Sequence, residues 1–99
     1  MDNQKLAIHL IGEQIKNQVF MIALENLGFD CTMYTLNISE VILSLFGFEM
    51  TDDLFQQYFG MIETAVEETT YLNMDEMISK WSLVIYKQLI EIKSSEFFP

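Results

Sequence analysis

Apolar residues recur every three or four positions along almost the whole of this sequence, and its only proline is the last residue. This spacing predicts amphipathic α-helices, because three to four residues complete one helical turn. Proline interrupts helices, so a chain without internal proline can remain helical over long stretches. We therefore expect an all-α fold. The 99 residues suit a single domain over 1–99, with frayed termini at 1–2 and 94–99.

The first predicted helix runs from about Asn3 to Leu27 and stops at Gly28, a residue suited to the left-handed turn that ends many helices. Its apolar stripe comprises Ile8, Ile11, Ile15, Val19 and Ile22. The following segment, 29–36, shows no clear helical period. It is expected to be a loop or a short extended piece.

The second predicted helix begins with Asn37 as N-cap and has Glu40 three residues later, as in a capping box. Gly47 marks its end. Apolar residues lie nearly all round this short helix, which predicts that it is buried between other elements. These residues are Val41, Ile42, Leu43, Leu45 and Phe46.

The third predicted helix starts at Thr51 as N-cap and weakens at the β-branched and aromatic run 69–71. The fourth begins with a second capping box, Asn73 and Glu76, and frays near 94–95. The predicted stripe of the third helix comprises Leu54, Phe55, Tyr58, Phe59, Ile62, Ala65 and Val66. The stripe of the fourth comprises Met74, Met77, Ile78, Trp81, Val84, Ile85, Leu89 and Ile92. Four helices, one of them short, predict a compact bundle-like domain.

The net charge of −10, with five lysines and no arginine, argues against direct binding to nucleic acid. The same charge disfavours anionic membrane surfaces. The longest apolar run, 19–24, is far shorter than the roughly 20 residues that a transmembrane helix needs. One cysteine and no basic leader make a cytoplasmic location the expectation.

Little in the sequence suggests chemistry. One histidine and one cysteine cannot form a zinc site of the usual kind, so no metal, cofactor or catalytic residue is predicted and the protein is expected not to be an enzyme. We interpret His9 as a boundary residue and Cys31, beside an acid, as a packing residue. Trp81 is expected to anchor the core, with a partner for its indole N–H if it is buried.

The fourth helix carries more apolar residues than one buried stripe requires. The surplus predicts a protein interface, most simply that of a homodimer. Alternatively, the second helix and segment 29–36 cover it. The candidate interface residues are Leu83, Tyr86, Ile90, Phe97 and Phe98.

Acidic residues gather on the last part of the third predicted helix and at the start of the fourth, where they suggest a surface for a basic protein. The simpler alternative is a solvated face, with the first-turn acids present for capping. These residues are Glu63, Glu67, Glu68, Asp75 and Glu76. The sequence thus favours a non-enzymatic homodimeric interaction protein. The alternatives are an acidic inhibitor resembling an immunity protein, an antitoxin or a DNA mimic, and a small-ligand carrier with a cavity between its helices.

Overall fold

Four helices follow one another along the chain: α1 (Asn3–Asn26), α2 (Thr32–Leu45), α3 (Asp52–Glu68) and α4 (Met74–Phe97). The computed structural model describes residues 2–97 and their side chains through residue 95. Every regular element in that part of the chain is helical, which confirms the predicted all-α fold with four helices. The described chain measures 44 × 27 × 25 Å, so α1, about 36 Å long, spans most of its length.

Helix α1 is the central element, because it contacts all three other helices, most extensively α4. Within this contact, Gly12 of α1 is buried against Ile78 and Ser82 of α4. A Cβ atom at position 12 would lie 3.0 Å from Ile78 Cγ2, which is closer than carbon atoms normally pack. Glycine therefore allows the two long helices to pack closely.

The core lies where α1, the C-terminal half of α2, α3 and α4 meet, and the predicted stripes supply most of it. It also contains a buried network of three hydrogen-bonded polar side chains, which the sequence did not reveal. Tyr58 of α3 donates to Gln14 Oε1 over 2.7 Å, and Gln14 Nε2 donates to Ser39 Oγ of α2 over 2.9 Å. All three side chains are fully buried. Burial raises the pKa of the Tyr58 phenol well above its usual value, so this group stays protonated and donates.

The glycine stops and the Thr51 cap are confirmed. Gly28 and Gly47 have φ of 97° and 76°, the left-handed conformation that L-residues with side chains avoid. After α1, the N–H of Phe29 donates to Leu24 O over 3.1 Å, the hydrogen bond of a Schellman motif. At the start of α3, Thr51 Oγ1 accepts from the N–H of Leu54 over 3.2 Å.

The predicted start of the second helix at Asn37 is wrong, since α2 begins five residues earlier at Thr32. The carboxylate of Asp30 accepts from the Thr32 hydroxyl (2.6 Å) and from its backbone N–H (3.0 Å). Further on, Thr35 donates to Gln18 of α1 over 2.7 Å. These bonds hold residues 32–36 in helix, so the segment 29–36 is a short turn followed by helix and not an extended piece.

Burial of the second helix is also less complete than predicted. Helix α2 is the shortest of the four described helices. Its buried residues are Ser39, Ile42 and Leu43, and Val41 is half exposed. The sequence pattern misled here because the C-terminal half of α2 packs into the core on one side only. Helix α2 therefore lies against α1 with its other face in solvent.

The predicted capping box at the fourth helix is not formed by Asn73. Its side chain turns back toward α3 instead, accepting from Thr70 N–H over 2.7 Å and donating to Glu68 O over 3.1 Å. Helix α4 continues through Ser94 and Ser95 to Phe97, past the point where the sequence predicts fraying.

Among the described residues, no helix is both long and apolar enough to cross a membrane.

Candidate protein interface

Exposed apolar side chains are concentrated at one end of the molecule. Ten of the thirteen large ones in the described part of the chain belong to the second half of α1, the turn after it, the first turns of α2, and the α3–α4 turn. The rings of Phe20 in α1 and Tyr71 in the α3–α4 turn are in contact, with centroids 5.5 Å apart. We call this set the apolar end: Phe20, Ile22, Leu24, Leu27, Phe29, Met33, Tyr34, Leu36, Tyr71 and Leu72.

A groove opens beside the apolar end, between the N-terminal half of α2 and the C-terminal half of α3, with α1 beneath them. It consists of two adjoining depressions, of about 270 and 290 Å³, which share Gln18, Ile62 and Glu63. The bond between Thr35 and Gln18 fixes α2 on α1 at the base of this groove. The groove is lined by Gln18, Ile22, Glu25, Thr32, Thr35, Leu36, Phe59, Ile62, Glu63, Val66 and Glu67.

The charged side chains that line the groove are all acidic. Glu25 comes from α1, while Glu63 and Glu67 lie one turn apart on α3 and are exposed. No lysine lines the groove within the described part of the chain. Lys16 precedes Gln18 by two residues and so lies on nearly the opposite side of α1. The groove thus has an apolar floor and a negative rim.

The predicted acidic surface is divided by the fold. Glu63 and Glu67 reach the groove, whereas Asp75 and Glu76 border a different depression at the start of α4. Glu68 is occupied internally, because its Oε2 accepts from the Trp81 indole N–H over 2.8 Å and lies 3.7 Å from Lys80 Nζ. Trp81, which the sequence predicts as a core anchor, is half-buried and links α4 to the end of α3.

The predicted interface on α4 extends from the middle of that helix toward the opposite end of the molecule. Leu83 and Ile90 are 46% and 41% exposed, and half-buried Tyr86 packs on Phe46 with ring centroids 5.6 Å apart. The end of α2 reaches this surface, but segment 29–36 does not, because it lies by the groove. The Phe97 side chain and Phe98 lie outside the described residues.

The candidate reactive residues are not brought together. His9 is exposed on α1, and Cys31 is a free, half-buried thiol directly before α2. Among the described residues, no group of three or more His, Cys, Asp or Glu side chains is arranged to hold a metal ion.

Sequence reasoning missed the apolar end, since it treated 29–36 as an irregular segment. A signal was present: Phe29, Met33 and Leu36 recur at spacings of four and three, as on one side of a helix. The exposure of Leu72, at 99%, had no signal in the sequence, because it follows from the shape of the α3–α4 turn.

Comparison with known protein families, with curated proteins and with solved structures gives no match for this chain.

Proposed function

We propose that this protein is not an enzyme and that it acts by binding another protein through the apolar end and the groove beside it. One observation carries the proposal, namely the concentration of ten exposed apolar side chains at one end of a small, strongly acidic chain. Single exposed apolar residues are common on proteins, whereas a concentration of large ones in one region is typical of interaction sites. A partner that covers them removes apolar area from water, which stabilises the complex by about 25 cal/mol per Å².

The groove favours a macromolecular partner over a small ligand. Small-molecule sites enclose most of their ligand in a cavity, whereas this groove lies open between two helices. A net charge of −10 disfavours a polyanionic partner, so we propose a protein and not a nucleic acid. A cytoplasmic location belongs to the same proposal and rests on the sequence alone.

A homodimer through α4 is the second candidate function. Leu83 and Ile90 lie two helical turns apart on one side of α4, and both are more than 40% exposed. Tyr86 and Phe46 beside them provide an aromatic border. This surface is smaller than the apolar end, which is why we place it second.

Photo-crosslinking in the native cells tests the leading proposal without assuming what the partner is. A photoreactive amino acid replaces Met33 or Leu72 at the apolar end or, as a control, the exposed Gln88 of α4. We expect the same discrete protein adduct from both test positions and not from the control. Excess unlabelled protein should compete the adduct away, and a Phe29→Ser variant should compete less well. If no discrete adduct forms, or if Gln88 gives the same one, the proposal is wrong.

A further inference from the structure

Building on the proposed function, we infer that the groove binds an amphipathic α-helix of the partner protein, with an apolar face and a basic face. Helix-in-groove recognition needs an apolar channel bordered by two elements and open along its length. The groove between α2 and α3 has this form, with α1 as its base.

The lining of the groove supplies sites for apolar anchors. Ile22 from α1 is 50% exposed and Leu36 from α2 is 38% exposed, so each offers surface to a partner. Phe59 and Val66 of α3 are half-buried in the wall opposite. A helix laid in the groove would bury these side chains with its own residues at spacings of three and four.

The rim determines the charge of the partner. Glu63 and Glu67 stand at i and i+4 on α3, where like charges slightly destabilise a helix. Glu25 adds a third carboxylate from α1. Lysine or arginine residues flanking the apolar face of a bound helix would pair with this rim. A second copy of this chain is disfavoured as the occupant of the groove, because its fifteen acidic and five basic residues are poorly matched to an acidic rim.

The test uses designed helical peptides and the full-length protein. The first has leucines on one face and lysines on the other. The second carries glutamates in place of the lysines, and the third has the leucine–lysine composition in scrambled order. Fluorescence anisotropy of labelled peptides measures binding at two salt concentrations. We expect saturable binding of the first peptide only, and weaker binding at high salt.

Two pairs of variants locate the binding site. Glu63→Lys/Glu67→Lys reverses the rim, while Glu49→Lys/Glu91→Lys makes the same change in net charge at exposed positions away from the groove. Ile22→Ser removes part of the floor, while Val41→Ser alters an equally exposed residue outside it. We expect at least a tenfold loss of affinity for each groove variant and a change below twofold for each control. Circular dichroism verifies that all four remain folded.

Several outcomes would overturn the inference. One is that the leucine–lysine peptide does not bind, and another is that the glutamate peptide binds equally well. Equal losses in the groove variants and their controls would mean general attraction to an acidic chain. Self-association abolished by Ile22→Ser would assign the groove to a second copy. If the peptides fail while the crosslinks from Met33 persist, the helix assignment is wrong but the proposed function stands.

Discussion

At Gln14 the core holds an amide without access to water, and both of its ends are satisfied by residues that are distant in sequence. This network of hydrogen-bonded side chains fixes how α1, α2 and α3 align, because any other alignment leaves a buried polar group unpaired. Its value lies less in the bonds formed than in the penalty for breaking one.

Replacing Tyr58 with phenylalanine tests that penalty. Tyr58→Phe leaves Gln14 Oε1 buried without its donor, so we expect the free energy of unfolding to fall by about 1–3 kcal/mol. Chemical denaturation followed by circular dichroism measures it. The control is Tyr34→Phe, which removes an exposed hydrogen bond to Asn17 and should cost no more than about 0.5 kcal/mol. Equal losses in the free energy of unfolding at the two sites would contradict this account of the buried network.

At the scale of the elements, helix ends were predictable where local chemistry decides them. Gly28, Gly47 and Thr51 act through bonds to residues within five positions in sequence, so the sequence contains what is needed. The start of α2 was missed although part of its support is local, namely the hydrogen bonds from Thr32 to Asp30. The rest could not be predicted, because Thr35 bonds to Gln18, seventeen residues earlier. Asn73 was misassigned because its side chain bonds to the end of the preceding helix instead of its own.

The start of α2 should depend on pH through Asp30. Hydrogen bonds from the Thr32 hydroxyl and backbone N–H hold the pKa of this carboxylate below its usual value of 3.8. A lowered pKa in the folded state adds stability above the unfolded pKa, and that stability is lost as pH falls through the folded value. We therefore expect Asp30→Ala to lower the melting temperature at pH 7 and to have a smaller effect at pH 2.5. An effect of equal size at both values would contradict a role for the charge.

Glycine-to-alanine substitutions should change the stability of the protein in opposite directions in a helix and in a turn. A Cβ at Gly60, inside α3, meets nothing within 4 Å, so Gly60→Ala should stabilise the protein by about 0.5–1 kcal/mol. Gly28 has φ of 97°, so Gly28→Ala should destabilise it by about 1–2 kcal/mol despite equally open space. Thermal unfolding measures both, and a gain at Gly28 would show that the turn is not held in this conformation.

The groove was the hardest feature to anticipate from sequence. Its walls come from α2 and α3 and its base from α1, so neighbours such as Gln18 and Ile62 are far apart along the chain. Glu63 and Glu67 were recognised as an acidic pair, yet the apolar floor between the helices depends on how α2 lies against α1. Tertiary packing, not local pattern, creates the site.

At the scale of the whole molecule, two apolar surfaces lie toward opposite ends, and the smaller one, on α4, predicts a dimer. We expect light scattering coupled to size-exclusion chromatography to give a dimer for the parent and a folded monomer for Leu83→Glu/Ile90→Glu. Both side chains are more than 40% exposed, so the fold should tolerate the change. A variant that stays dimeric and equally helical would place the contact elsewhere, and Phe29→Glu/Met33→Glu then tests the apolar end.

The antiparallel packing of the first and last helices brings the two ends of the described chain to one pole. Asn3 and Gln4 border the same depression as Ile90 and Lys93, whereas the groove lies toward the other end of α1. A label, surface tether or fused domain at either end would therefore point away from the groove. Joining the two ends by a short linker and reopening the chain at the exposed Leu72 should likewise give a permuted protein with the same helix packing.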